Sequence, residues 1–270
     1  MSNLFPTYSR WEVEPEWAEG SFLLDKKQGP YKTYYSNGKL ESIYNYIEGD
    51  LSGPAELYFE SGKIKERYAY LGDEWEGPFK EYYEKGNLRN EGQTEDGGVV
   101  GDNKHYSPDS LLSFVIRYKN NFIVSYSYPG KDGNLVPFIH LNKGKGEMKT
   151  FYSNGNKSLE CTYDNNSLQG KRTEYFSNGN VCEDENYDFG NLDGTQKYYY
   201  NDGKLKSEEN YYKGEKDGKS SFYYANAKLE HEENWVLGLK QGAFRYYDDS
   251  GNLLKTVVYY NNDEVSESKK

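Results

Sequence analysis

Glycine recurs in this chain at a fixed interval. It stands at Gly29, Gly53, Gly77 and Gly101, and again at Gly146, Gly170, Gly194, Gly218 and Gly242, each 24 residues after the last except for one gap of 45. A period of this length implies a row of like supersecondary units, none large enough to bury a face alone, stacked so that neighbours supply the core. Counting from each glycine as zero, position five is Tyr34, Tyr58, Tyr82, Tyr106, Phe151, Tyr175, Tyr199, Tyr223 and Tyr247, aromatic throughout. Position nine is glycine except at Ser110 and Ala227. Position seventeen is aromatic except at Thr94, and position twenty is always Gly, Asn or Asp.

These columns describe one β-hairpin per unit. Strand A covers about positions one to six and strand B about ten to eighteen. Between them lies a tight turn such as Ser36-Asn37-Gly38 or Ser177-Asn178-Gly179, where Asn tolerates turn geometry and Gly supplies positive φ. A two-residue loop would set position five opposite the charged position twelve (Glu41, Lys65, Arg89, Lys206, Glu230). A three-residue loop with a G1 bulge sets it opposite position eleven, which is Leu40, Ile64, Leu88, Leu112, Val181, Leu205, Leu229 and Leu253, with Lys157 the exception. An aromatic ring opposite a branched aliphatic is the better cross-strand pair, so the bulged loop is expected. Positions five, eleven, fifteen and seventeen are then expected on one face, with a looser second turn around position twenty. The fold class is all-β: an elongated antiparallel β-meander of stacked 24-residue hairpins.

Organisation follows from where the period holds. Residues 1–28, with Trp11, Trp17, Phe22, Leu23 and Leu24, show no repeat and are expected to cap the array. Three units occupy 29–100, degenerate repeats 101–145, five units 146–265, and a frayed polar tail 266–270. In 101–145 the runs Phe114-Val115-Ile116, Phe122-Ile123-Val124 and Val136-Pro137-Phe138-Ile139 put apolar side chains on both faces of their strands. A single-layer sheet cannot bury both, so Phe122, Phe138 and Ile139 are candidate partner contacts.

The unit Gly-x-x-x-x-Tyr-Tyr-x-Asn-Gly-Lys-Leu-x-x-x-x-x-Tyr, clearest at Gly29–Tyr46 and Gly194–Tyr211, resembles the variant MORN repeat of bacterial proteins. The resemblance covers 29–100 and 146–265 well and 101–145 weakly. It implies antitoxin or immunity proteins on one side, and protein-binding or membrane-apposing modules, some joined to lipid kinases, on the other. No glycine-rich phosphate loop or His-Arg-Asp catalytic loop accompanies the repeats here, so no kinase activity is expected.

The chemistry of the chain favours binding over catalysis. The 33 basic and 44 acidic residues leave a formal charge of −11, which disfavours nucleic acid and anionic membranes and suits a basic protein. His105, His140 and His231 show no metal-ligand spacing. Cys161 and Cys182 fit small buried fillers of a protein from a reducing compartment. No basic stretch followed by an apolar one opens the chain, and no apolar run is long enough to span a membrane, so a cytoplasmic location is expected. Two surfaces stand out as candidates. Position fourteen is Glu160, Asp184, Glu208 and Glu232 in successive units, joined at position fifteen by Glu185, Glu209 and Glu233; it forms an acidic rail, partly offset by Lys149, Lys197 and Arg245. Position six, including Tyr152, Phe176, Tyr200 and Tyr224, forms a second aromatic ladder on the face opposite position five, of a kind suited to recognition at low entropic cost. The reading is a non-catalytic protein-binding array without cofactors or metals, of the immunity or antitoxin type, that inhibits a toxin or another enzyme. A scaffold or membrane-apposing module is the alternative, and an enzyme of unrecognised type comes third.

Overall fold

A computed structural model describes residues 18–35 and 37–269 of the chain. Among these residues every element is a β-strand. They form two compact units that divide between Lys143 and Gly144, each built on one open antiparallel sheet. The first sheet has 13 strands and the second 15, and in both the main strands neighbour one another in chain order. This is the meander that the 24-residue period demands.

The register of every hairpin is the one expected from the pairing of positions five and eleven. Tyr34 faces Leu40, Tyr82 faces Leu88, Tyr199 faces Leu205 and Tyr247 faces Leu253. The loop between them has three residues: Tyr200 N–H donates to Lys204 O and Gly203 N–H to Tyr200 O, both at 2.8 Å, with Gly203 at φ 84°. Gly179, at φ 91°, does the same in the preceding unit. The second turn is not the looser one. It is a two-residue type I′ hairpin whose central positions, nineteen and twenty, both take positive φ, as at Lys213 (52°) and Gly214 (90°). The glycine at position zero also has a conformational cause: Gly53 and Gly218 both lie at φ 99°, where the chain leaves the short bridge after this turn to begin strand A. At this irregular step Asn210 Nδ2 donates to Lys219 O at 2.7 Å, as Asn45 does to Pro54 O at 2.6 Å, so the side chain ties units together where the ladder is interrupted.

One face assignment is corrected. Strand pairing shifts between positions four and five: Tyr198 faces Ser207 but Tyr199 faces Leu205, leaving Lys206 as a bulge at position twelve. An extra residue reverses the alternation of side chains beyond it. Positions five and eleven therefore share a face with three and fourteen, here called the open face. Positions fifteen and seventeen share the other, packed face with two, four and thirteen. The hydrogen bonds agree, since Tyr58 (five) reaches Glu56 (three) and Tyr211 (seventeen) reaches Glu209 (fifteen). Position two forms the centre of the packed face: Tyr31, Ala55 and Phe79 in the first unit, and Met148, Gln196 and Phe244 in the second, are all buried.

Residues 101–121 keep the register despite their divergent sequence, with Gly101 opposite Tyr118 and Tyr106 opposite Leu112. The departure begins after the Asn120-Asn121 turn. The strand Phe122–Ser127 pairs with Leu112–Lys119 on one side and, past an excursion through 128–138, with Ile139–His140 on the other. The returning loop is held by Ser127 Oγ donating to Val136 O at 2.6 Å, and both Ser127 and Val115 are buried.

The ends differ from expectation. Residues 266–269, expected to fray, complete the strand Asp263–Lys269, which adds to the edge Leu253–Tyr260 in a bulged ladder that runs to Lys255 opposite Lys269. The last unit would otherwise leave the backbone groups of strand B unpaired. Of the expected N-terminal cap, Ala18–Leu23 forms the first strand, with Phe22, Leu23 and Leu24 exposed, while Trp11 and Trp17 lie outside the described residues.

Candidate partner-binding surfaces

The acidic rail exists as a row on the open face of the second unit, and each of its members meets a cation. Lys157 lies 3.0 Å from Glu160, Lys171 3.0 Å from Asp184 and Lys197 3.1 Å from Glu208. Glu232 is held by Lys219 at 2.5 Å and Arg245 at 2.8 Å. Hydrogen bonds from these cations, with Tyr175 Oη donating to Glu160, hold the Glu160 and Glu232 carboxyls below the usual carboxylate range. An open depression lined by Glu147, Lys149, Glu160, Lys171 and Thr173 shows the same alternation of sign. The rail is thus a charge-matched lattice, and its cations come from positions one, three and eleven.

The position-six ladder has a structural task. Tyr35, Tyr83, Tyr152, Tyr200 and Tyr224 each donate their hydroxyl to the backbone carbonyl of the position-five residue one unit on: Tyr152 to Tyr175 at 2.6 Å, Tyr200 to Tyr223 at 2.6 Å and Tyr224 to Tyr247 at 2.7 Å. Tyr152 and Phe176 are buried and offer no recognition surface; Tyr200 and Tyr224 are half-buried. The three apolar candidates of 101–145 do not converge. Phe122 is exposed beside the Asn120-Asn121 turn. Phe138 packs under the Arg117 guanidinium, 3.7 Å from its ring centroid, and Ile139 is exposed at the short edge strand. Register puts Phe122 and Phe138 at opposite ends of the ladder between their strands.

The structure brings together a different set. Between Gly170 and Trp235 the packed face carries Glu174, Glu183, Glu185, Glu209 and Glu233, against the cations Arg172 and Lys216. Arg172 sits at position two, in the centre of the sheet. It donates to Glu185 at 2.5 Å, to Glu183 at 3.1 Å and to Glu174. Burial opposes its charge, but the three carboxylates outweigh burial and hold the guanidinium protonated. Each aromatic at position seventeen donates to the carboxylate two residues before it on the same face. Tyr187 reaches Glu185 at 3.0 Å, Tyr211 reaches Glu209 at 3.2 Å and Trp235 Nε1 reaches Glu233 at 2.8 Å; Tyr198 also donates to Glu185, at 3.0 Å. Burial pushes the Tyr187, Tyr198 and Tyr211 hydroxyls well above their ordinary range, so they stay donors. Lys216 bridges Glu209 (3.0 Å) and Glu233 (3.3 Å) with its ammonium 5.2 Å from the centroids of Phe222 and Trp235.

His231 stacks on Phe222 at 4.1 Å, and burial lowers its pKa, so it serves as a flat neutral ring. His105, at position four, stacks on Phe114 at position thirteen, the same cross-strand pair with ring and imidazole exchanged. Cys161 is buried, which pushes its thiol up to about 12, and Cys182 is buried too; neither forms a disulfide. No group of His, Cys, Asp and Glu among the described residues has the geometry of a metal site. Sequence reasoning named Glu185, Glu209 and Glu233 but joined them to the rail, and it missed Arg172, Glu174, Glu183 and Lys216, because position two has no chemical consistency: Tyr31, Ala55, Phe79, Arg172, Gln196 and Ser220 share a place but no residue type. The available signal was their even spacing from the position-zero glycine.

The family model described as MORN repeat variant matches residues 27–48, 75–96, 145–165, 168–188, 192–213 and 240–262. No curated protein matches the sequence. Among solved structures, the crystal structure of TcdB2-TccC3 aligns at 11% identity and a TM-score of 0.18 over 90% of this chain and 15% of its own. A Photorhabdus luminescens Tc holotoxin pore aligns at 11% identity and a TM-score of 0.18 over 93% of this chain and 18% of its own. The chain thus spans less than a fifth of either neighbour, and likeness at this level carries no argument about fold or function.

Proposed function

This chain belongs to the MORN repeat variant family, and we propose that it is a non-catalytic protein-binding module of the immunity or antitoxin type, which neutralises a toxin or another enzyme by covering it. The observation that carries this reading is the packed face between Gly170 and Trp235. There five glutamates face two cations; Glu183 and Glu185 are buried against Arg172, while Glu174, Glu209 and Glu233 lie half-buried among half-buried tyrosines and a tryptophan, within reach of a partner. The hydrogen bonds fix the carboxylates in place, and the unbalanced charge suits lysine and arginine side chains of a basic partner, which the rings can hold by cation–π contact. The net charge of −11 would speed the encounter with such a partner.

The test is co-purification from the native host with wild-type chain and with Glu185→Gln/Glu209→Gln/Glu233→Gln as baits. The wild type should retain a basic protein whose expression alone arrests growth, and the triple variant should lose it. A partner held equally by both baits, or one whose expression is harmless, would sink the reading.

A further inference from the structure

We propose that the type I′ turn edge of the second unit is a docking surface for an amphipathic, lysine- or arginine-bearing helix of a protein partner. The inference rests on the protein-binding reading above but uses a different surface. At position nineteen, the first central residue of the type I′ turn, most units carry residues that accept positive φ: Gly72, Asp96, Asn120, Asn165 and Asn261. Two units do not. Phe189 lies at φ 45° and Leu237 at φ 48°, a backbone that disfavours bulky side chains. Neither is repaid by burial, since Phe189 is 71% exposed and Leu237 58%. Backbone strain that returns no packing marks a surface kept for contact with something else.

The neighbours continue the row. Tyr212, Val236 and Tyr260, all at position eighteen, are exposed as well. The turns are fixed to one another by hydrogen bonds from Gly190 N–H to Leu168 O (2.9 Å), Gly214 to Leu192 (2.8 Å) and Gly238 to Lys216 (2.8 Å). The strained residues are anchored too, with Phe189 N–H donating to Gln169 Oε1 at 3.0 Å and Leu237 N–H to Asp217 Oδ1 at 3.1 Å. Successive turns are two strand spacings apart, roughly 10 Å. Helix residues seven apart are separated by about 10.5 Å, so a heptad row of apolar side chains meets one turn after another. Exposed Asp188, Glu215 and Asp263 line the same edge, against Lys213, so the flanks of the helix are basic. The first unit has a shorter version in Leu23, Leu24, Ile47 and Leu71, which ends where Glu95 and Asp96 take over.

The decisive variant is Phe189→Asn/Leu237→Asn, because asparagine suits the turn. The probe is a fluorescein-labelled model helix with heptad-spaced leucines flanked by lysines, and fluorescence anisotropy reads its affinity. The double variant should bind at least tenfold more weakly than wild type, while its melting temperature rises by a few degrees as the turns relax. The same peptide with glutamates in place of the lysines should fail to bind wild type. Equal affinity of the two proteins, or equal binding of the two peptides, overturns the proposal. So does wild-type partitioning onto phosphatidylglycerol vesicles that Phe189→Asn/Leu237→Asn abolishes, since the edge would then be a membrane contact. The packed-face variant Glu185→Gln/Glu209→Gln/Glu233→Gln should keep the probe. Loss of the native partner by that variant with an unchanged probe separates failure of this edge from failure of the packed-face reading.

Discussion

The two units of this chain share one backbone plan and fill it with different chemistry. In the first, the packed face is built from Tyr31, Ala55, Leu57 and Phe79, with Tyr68 set against Tyr70 and Trp75. In the second, Met148 and Phe244 keep position two apolar at the two ends, while the three repeats between them hold Arg172, Gln196 and Ser220 at two, and Glu185, Glu209 and Glu233 at fifteen. The register is the same in both, so the apolar content of this face does not specify the fold. Turn glycines, the position-five and position-eleven pair, and the position-six hydroxyls do that in each unit. The packed face is left free to vary, and the second unit uses that freedom for charge. A sheet that needed those positions for its core could not carry three glutamates around one arginine.

That comparison breaks most sharply at Arg172. Arg172→Met would leave Glu174, Glu183 and Glu185 buried without their cation. Removing one member of such a cluster costs about 3–5 kcal/mol, so urea denaturation of the variant should show a loss of that size. Adding Glu174→Gln, Glu183→Gln and Glu185→Gln should recover most of it. If Arg172→Met is tolerated alone, the cluster is solvated and the two packed faces are alike in their energetics.

A smaller effect tests the part of the plan that both units share. Position nine takes positive φ everywhere, and each unit has one misfit: Ser110 at φ 66° in the first and Ala227 at φ 67° in the second. Ser110→Gly and Ala227→Gly should each stabilise by about 1 kcal/mol, the reverse of placing a Cβ in the left-handed region. Gly203→Val should cost about 1–2 kcal/mol for the same reason. No atom stands within 4 Å of a Cβ built on Gly86 or Gly155, so conformation and not crowding reserves this position for glycine. Thermal melts that show no gain in either unit would mean the turn tolerates a Cβ and that some other demand selects glycine.

Much of this plan was legible in the residues, because columns with one required conformation keep one residue type. Glycine at zero and nine, rings at five and seventeen, and the Gly, Asn or Asp of position twenty each answer a backbone or pairing need that recurs in every unit. What could not be read is what the fold leaves unconstrained. The bulge at position twelve is charged in five units, as at Glu41 and Lys206, but carries Ser113, Ser158, Cys182 and Leu254 in the rest, yet it decides which residues share a face. Residues 101–121 keep the register with few of the usual side chains, since hydrogen bonding between neighbours imposes it on them. The partner-facing residues were sought in columns of repeated identity, such as Tyr152 and Phe176, and such columns are where the fold has its own use for the side chain.

The least of the expected effects concerns acid, and there the units should differ in sign at two named residues. Glu232, on the open face of the second, has its carboxyl held below the ordinary carboxylate value of 4.5, chiefly by the hydrogen bond from Lys219, with Arg245 adding to it. A depressed folded value contributes stability above the unfolded value and loses it as pH falls through the folded one. Glu81, on the packed face of the first, is pushed above 4.5 by burial, which outweighs Arg89 and the hydrogen bond from Asn90. Its charged form is disfavoured by folding, so it subtracts stability at neutral pH and the deficit is relieved as pH falls through the raised value. Glu81→Gln should therefore stabilise at pH 7 and leave stability unchanged at a pH low enough to protonate the carboxyl. Glu232→Gln should destabilise at pH 7 and flatten the loss of stability on acidification below about pH 4.5. The measurement is a set of urea melts from pH 7 to pH 3. Loss of stability by Glu81→Gln at pH 7 would show that its charge is used, in contact with Arg89, and that the packed face of the first unit is closer in chemistry to that of the second than its rings suggest.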